Sequence, residues 1–172
     1  MGLSIAKPRP SHRLTGLICI VLVHTLLPLH AWGAGDATQA LPRVIALTEK
    51  TTATFYLPAL LGNGESAELL FDTGSGYLAI NRTLLDKLAA EGQATYKRTI
   101  NARLASGRVD RVPIYTISRL DLGGGCVLDQ VDAAVLAGGG RNILGMNVLR
   151  RVESFSMSFS PPRLTLTGCQ RA

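Results

Sequence analysis

The chain is expected to be mainly β, a small closed β-barrel with one or two short helices. Three observations carry that expectation. Short β-branched and apolar runs recur along it, and glycine clusters separate them, at Gly62-Asn63-Gly64, Gly123-Gly124-Gly125 and Gly138-Gly139-Gly140. A length of 172 residues suits one domain with a real core. At 47% hydrophobic and 17% charged residues the composition excludes a disordered polar chain, and 18 glycines argue against a coiled coil.

The N-terminus is set apart. Lys7, Arg9 and Arg13 precede an apolar run from Leu14 to Leu29, and Ala31-Trp32-Gly33 follows as a small-x-small cleavage site. Residues 1–33 therefore read as a secretory signal peptide. The alternative is an uncleaved anchor, but the run is shorter than the roughly 20 apolar residues of a spanning helix and is broken by His24 and Pro28. A lipoprotein reading through Cys19 is set aside, because Ile18 stands where a small residue is required. Export to the periplasm or cell envelope is the expectation, with a membrane partner only if the leader stays on.

Removing the leader would leave fifteen basic against twelve acidic residues, a net charge of +3 in place of +6. The remaining arginines are not interleaved with aromatics, so no nucleic-acid partner is expected. Cys126 and Cys169 would be the two remaining cysteines, and in an oxidising compartment an even pair suggests one disulfide.

Residues 34–50 read as a flexible tail, and the folded domain is expected over 51–169. Thr54 to Leu61 and Ala67 to Phe71 form a hairpin about the Gly62-Asn63-Gly64 turn. Tyr77 to Ile80 is a short strand. Asn81 caps a helix over Thr83 to Ala90, with Leu84, Leu85 and Leu88 on one side and Gly92 as its stop. Strands follow at Tyr96 to Leu104, Val109 to Ile117, Leu120 to Leu122 and Cys126 to Leu136, with a turn at Ala105-Ser106-Gly107. Ile143-Leu144-Gly145 leads into a brief helix at Met146 to Arg150, and Ser154 to Phe159 and Leu164 to Leu166 close the series around Pro161-Pro162.

Function is narrowed by what is missing. His12, His24 and His30 all lie in the leader, so the rest of the chain lacks both the usual general base of Ser or Cys nucleophiles and the commonest zinc ligand. Lys50, Lys87 and Lys97 do not follow a serine at three residues, and the carboxylates lack calcium-loop spacing. No metal or organic cofactor is expected, and carboxylate acid–base chemistry remains.

Asp72 is the carboxylate with an unusual setting. It ends the apolar run Leu69-Leu70-Phe71 and enters the small-residue turn Thr73-Gly74-Ser75-Gly76. An acid at a buried strand end is costly unless it is paired or used. Glycines let backbone approach it, and Thr73 and Ser75 supply hydroxyls.

The segment resembles the active-site motif of the retropepsin-like aspartic proteases, in particular their single-domain, exported members. The stretch from Asn142 to Leu149, with Ile143, Leu144 and Gly145 at its heart, is similar to the family's late apolar-apolar-Gly strand and helix behind the catalytic turn. The resemblance covers about Thr51 to Leu166, and it implies a flap at the hairpin about Ser106 and Gly107. It implies that Asp72 is catalytic and that two such aspartates share a proton and hold a water. Only one motif is present, so the partner aspartate would come from a homodimer acting on peptide or protein substrate, in an acidic working range. Within that picture Thr73 would bond across the dimer, Gly74 would allow close backbone contact and Ser75 would hold the outer carboxylate oxygen. The rival readings are a non-catalytic peptide-binding module on the same fold and a structural envelope β-domain in which the triplet is an ordinary turn. For Tyr77 both a groove-lining and a half-buried strand role stand open. Arg103, Arg108 and Arg111 read as a solvated strand face.

Overall fold

A computed structural model describes residues 41–51, 53–137 and 140–169. The signal-peptide reading of 1–33 lies outside these residues. The order of elements is β1 (Arg43–Ala46), β2 (Thr48–Lys50), β3 (Thr54–Leu61), β4 (Glu65–Phe71), β5 (Leu78–Asn81), α1 (Arg82–Ala90), β6 (Ala94–Arg103), β7 (Val109–Asp121), β8 (Val127–Leu136), β9 (Asn142–Leu144), α2 (Met146–Leu149), β10 (Ser154–Phe159) and β11 (Pro162–Thr167).

Each element follows from local chemistry. The β3–β4 hairpin turns through Gly62 and Gly64, both at positive φ, and pairs Leu57 with Leu69 and Tyr56 with Leu70. Helix α1 starts where the Asn81 side chain accepts a bond from the Leu84 N–H at 2.8 Å. It buries Leu84, Leu85 and Leu88 and stops where Gly92, at φ +68°, turns back to the carbonyl of Ala89.

Strands β2-β3-β4-β9-β5-β8-β7-β6 form one sheet, and β1-β11-β10 form a second. The larger sheet returns on itself where Leu60 and Leu61 of β3 pair with Asp121 and Leu120 of β7. That two-pair contact is what stands of the closed barrel expected above. Short β9 lies between β4, to which it is parallel, and β5, which it meets antiparallel at Ala79 and Ile143. The core gathers Leu57, Leu69, Ile80, Leu88, Leu128 and Leu144.

Two expectations are corrected. Residues 43–50 are not tail, because β1 pairs with β11 and β2 with β3, and Ile45 and Leu47 are buried in the core. Val44-Ile45-Ala46-Leu47 is an apolar run, but its partner β11 lies at the far end of the sequence, so no local signal marked it as a strand. Strand β7 also runs unbroken through Ser118 and Arg119 to Asp121, because its partner β8 stays in register from Val127 to Ala134 apart from the residue facing Ser118.

Cys126 and Cys169 form a disulfide with Cα atoms 5.4 Å apart, tying the end of β11 to the start of β8. It closes a 43-residue separation, and loop closure of that size contributes about 4 kcal/mol in the chain-entropy model. Replacing Cys169 by Ala, or reducing the bond, is expected to lower unfolding stability by about 3 to 4 kcal/mol, read from denaturant melts with and without reductant.

Candidate active site

Asp72 follows directly on β4. Its main-chain N–H donates to the carbonyl of Leu144 at 3.2 Å, which extends the β4–β9 ladder to the aspartate itself. The chain then turns, with the Ser75 N–H on the Asp72 carbonyl at 3.2 Å and the Gly74 N–H on Asp72 Oδ1 at 2.9 Å. A Cβ on Gly74 would stand 3.1 Å from that oxygen, so glycine gives the carboxylate its close donor. Asp72 is half-buried and Thr73 is exposed.

The turn rests on β9 and α2. The Met146 N–H donates to the Ser75 carbonyl at 2.8 Å and the Asn147 N–H to the Gly76 carbonyl at 3.1 Å. Gly145 is the contact point: a Cβ there would lie 2.1 Å from the Tyr77 carbonyl oxygen and 2.8 Å from that of Ser75. Ile143, Leu144 and Gly145 thus form the floor beneath the aspartate.

Ser75 differs from its expected role. Its hydroxyl donates to the Tyr77 carbonyl at 2.9 Å and stiffens the turn, leaving the carboxylate to the Gly74 N–H. Asn147 carries more than the sequence reading gave it. Its Oδ1 accepts from the Leu78 N–H at 2.5 Å and its Nδ2 donates to the Asp132 carbonyl at 2.7 Å, which locks α2 to β5 and β8. The available signal was an amide side chain in an otherwise apolar segment next to an obligatory glycine. Asn142 acts alike from β9, accepting from the Asn81 N–H at 2.9 Å.

The carboxylate opens onto a groove of about 340 Å³. One wall is the Asp72 turn with Tyr77; the other is the β6–β7 hairpin, through Ile100, Leu104, Ala105 and Val112. Ser106 and Gly107 sit at the exposed tip of that hairpin, with Gly107 at φ +82°, and the groove is lined by the residues just before them. The base of the hairpin is fixed where Asp132 accepts from Lys97 at 2.8 Å and from Thr116 at 3.1 Å. Tyr77 borders the groove and its hydroxyl accepts from Arg98 at 3.2 Å. Arg103 is exposed as expected, yet it too borders the groove, while Arg108 pairs with Asp110.

Among the described residues, two side chains titrate away from their ordinary values. A hydrogen bond from Arg141 lowers the Tyr56 phenol, and Asp110 raises the Arg108 guanidinium. Among the described residues no group of three or more His, Cys, Asp or Glu could hold a metal ion.

The family model described as "gag-polyprotein putative aspartyl protease" matches residues 60–151, just over half of the chain, from the end of β3 through the aspartate, the hairpin and β9 to α2. Among solved structures, a retropepsin-like aspartic protease from Rickettsia conorii is similar in fold. Its TM-score is 0.54 at 21% identity, over 74% of this chain and 91% of that one. No curated protein sequence matches.

Asn147→Leu is expected to orphan one backbone N–H and one carbonyl, at about 1 to 3 kcal/mol each. The loss should appear as a lowered melting temperature, whereas an exposed change such as Asp86→Ala leaves it near wild type.

Proposed function

The chain belongs to the gag-polyprotein putative aspartyl protease family, with a retropepsin-like fold, and from that premise we propose that it is an aspartic endopeptidase active as a homodimer. The observation that carries the reading is the carboxylate of Asp72, held by the Gly74 N–H and lining a groove of about 340 Å³. The floor built from Gly145, α2 and Asn147 is structural on either reading and holds the Asp72 turn in place.

In this reading two Asp72 side chains face each other across a twofold axis and share one proton, because like charges at close range do not both ionise. A water lies between them. The ionised carboxylate takes a proton from that water as its oxygen bonds to the scissile carbonyl carbon. The protonated carboxyl donates to the carbonyl oxygen. Breakdown of the tetrahedral species passes a proton to the amide nitrogen and breaks the C–N bond, returning the pair to its shared-proton state. Thr73, exposed beside the aspartate, bonds across the axis in this arrangement. The apolar lining from Ile100, Val112, Ile143 and Leu136 favours apolar substrate side chains, and the β6–β7 hairpin acts as the flap.

The proposed setting is the periplasm or cell envelope. The basic-then-apolar leader supports export, and the Cys126–Cys169 disulfide agrees with an oxidising compartment.

Asp72→Asn is the decisive variant. An amide oxygen still accepts from the Gly74 N–H, so the melting temperature should stay near wild type while peptidase turnover falls by about 10³-fold or more. The measurement is peptide cleavage from acidic to neutral pH beside a thermal melt. Full-rate cleavage by the folded variant would assign the chemistry to another group.

A further inference from the structure

We infer that two copies of the chain join edge to edge through β10, building one continuous six-strand sheet from two copies of β1-β11-β10. The inference rests on the paired-aspartate reading, which leaves the site of a single chain incomplete, and it names the surface that completes it.

The C-terminal strand itself is not free to be exchanged. β11 is the central strand of its sheet, paired along Arg43–Ala46 on one side and Ser154–Phe159 on the other, and Cys169 fastens its end to Cys126. Pairing must therefore use an outer edge. Among the described residues the two sheets present four edge strands: β1, β2, β6 and β10. Natural sheets protect edges with charge, bulges or brevity. β1 has four residues and carries Arg43; β2 has three and carries Glu49 and Lys50. β6 carries Lys97, Arg98 and Arg103 and has a register shift between Tyr96 and Arg98.

β10 has none of these devices. Its sequence, Ser-Phe-Ser-Met-Ser-Phe, is uncharged and pairs without irregularity along β11 over all six residues. A twofold axis normal to the sheet makes the two β10 strands antiparallel and keeps each face on its own side. Serines then meet serines and Phe155, Met157 and Phe159 meet one another, with no like-charge contact. Phe159 is 69% exposed, the most exposed large apolar side chain on any described strand. The edge also lies near the chemistry. Phe155 packs edge-on against Phe71, ring centroids 6.1 Å apart, and Phe71 is the residue before Asp72.

The test uses exposed Ser156, near the strand's middle and outside the groove. Ser156→Lys and Ser156→Glu each place like charges against their mates and are expected to raise the dimer dissociation constant roughly tenfold or more in sedimentation equilibrium. An equimolar mixture of the two is expected to restore both the dimer and peptidase activity. Dimers of unchanged affinity in both variants, or folded monomers that mixing does not rescue, would overturn the β10 interface while activity of the wild type leaves the protease reading standing. A wild type that is monomeric at all concentrations overturns the interface, and cleavage by that monomer overturns the paired aspartates too. Should a thermal melt show Ser156→Lys unfolded, the Ser158→Lys and Ser158→Glu pair decides in the same way.

Discussion

The site depends on one absent atom. Gly145 has no Cβ, and that lets the carbonyls of Tyr77 and Ser75 come down onto the strand-to-helix junction, where any side chain would overlap them. The rest follows from that approach. Once the turn is seated, the first N–H groups of α2 find their partners in the carbonyls of Ser75 and Gly76, and Asp72 continues the ladder onto Leu144. The helix is only four residues long and gains little from its own hydrogen bonds. Its place is set by the turn it supports and by Asn147, whose two bonds reach β5 and β8.

A second division of labour concerns the hairpin. Its base is held by Asp132, which gathers Lys97 and Thr116, while β6 is largely exposed along its length. Beyond that anchor Ile100, Ala102 and Val112 pack with Ile114, Ala134 and Tyr77, and the tip at Ser106 and Gly107 is exposed. An anchored base with a lightly packed tip is the arrangement from which moving covers are drawn, since local opening costs least where few apolar contacts are lost.

Much of this was legible in the sequence because the relevant signals are local. Gly62 and Gly64, Asn81 and Gly92 mark their turns and caps by backbone chemistry alone, and Asp72 stood out because an apolar strand ran straight into it. What was not legible depends on contacts far apart in the chain. Ile45 and Leu47 become core only because β11, more than a hundred residues later, lies beside them. The Ser75 hydroxyl had two plausible acceptors, and only the path of the chain toward Tyr77 selects the carbonyl over the carboxylate. Asn147 was passed over for the same reason, since both of its partners belong to other strands.

The groove wall formed by Ile100, Leu104 and Val112 has a consequence for how preference evolves. In a twofold pair, a codon change at any of these positions is written twice, once on each side of the scissile bond. An enzyme with two lobes on one polypeptide tailors its left and right pockets separately. In the proposed homodimer both halves would drift together, so selection would act on near-palindromic recognition, and asymmetry in a preferred cut site would have to come from the peptide.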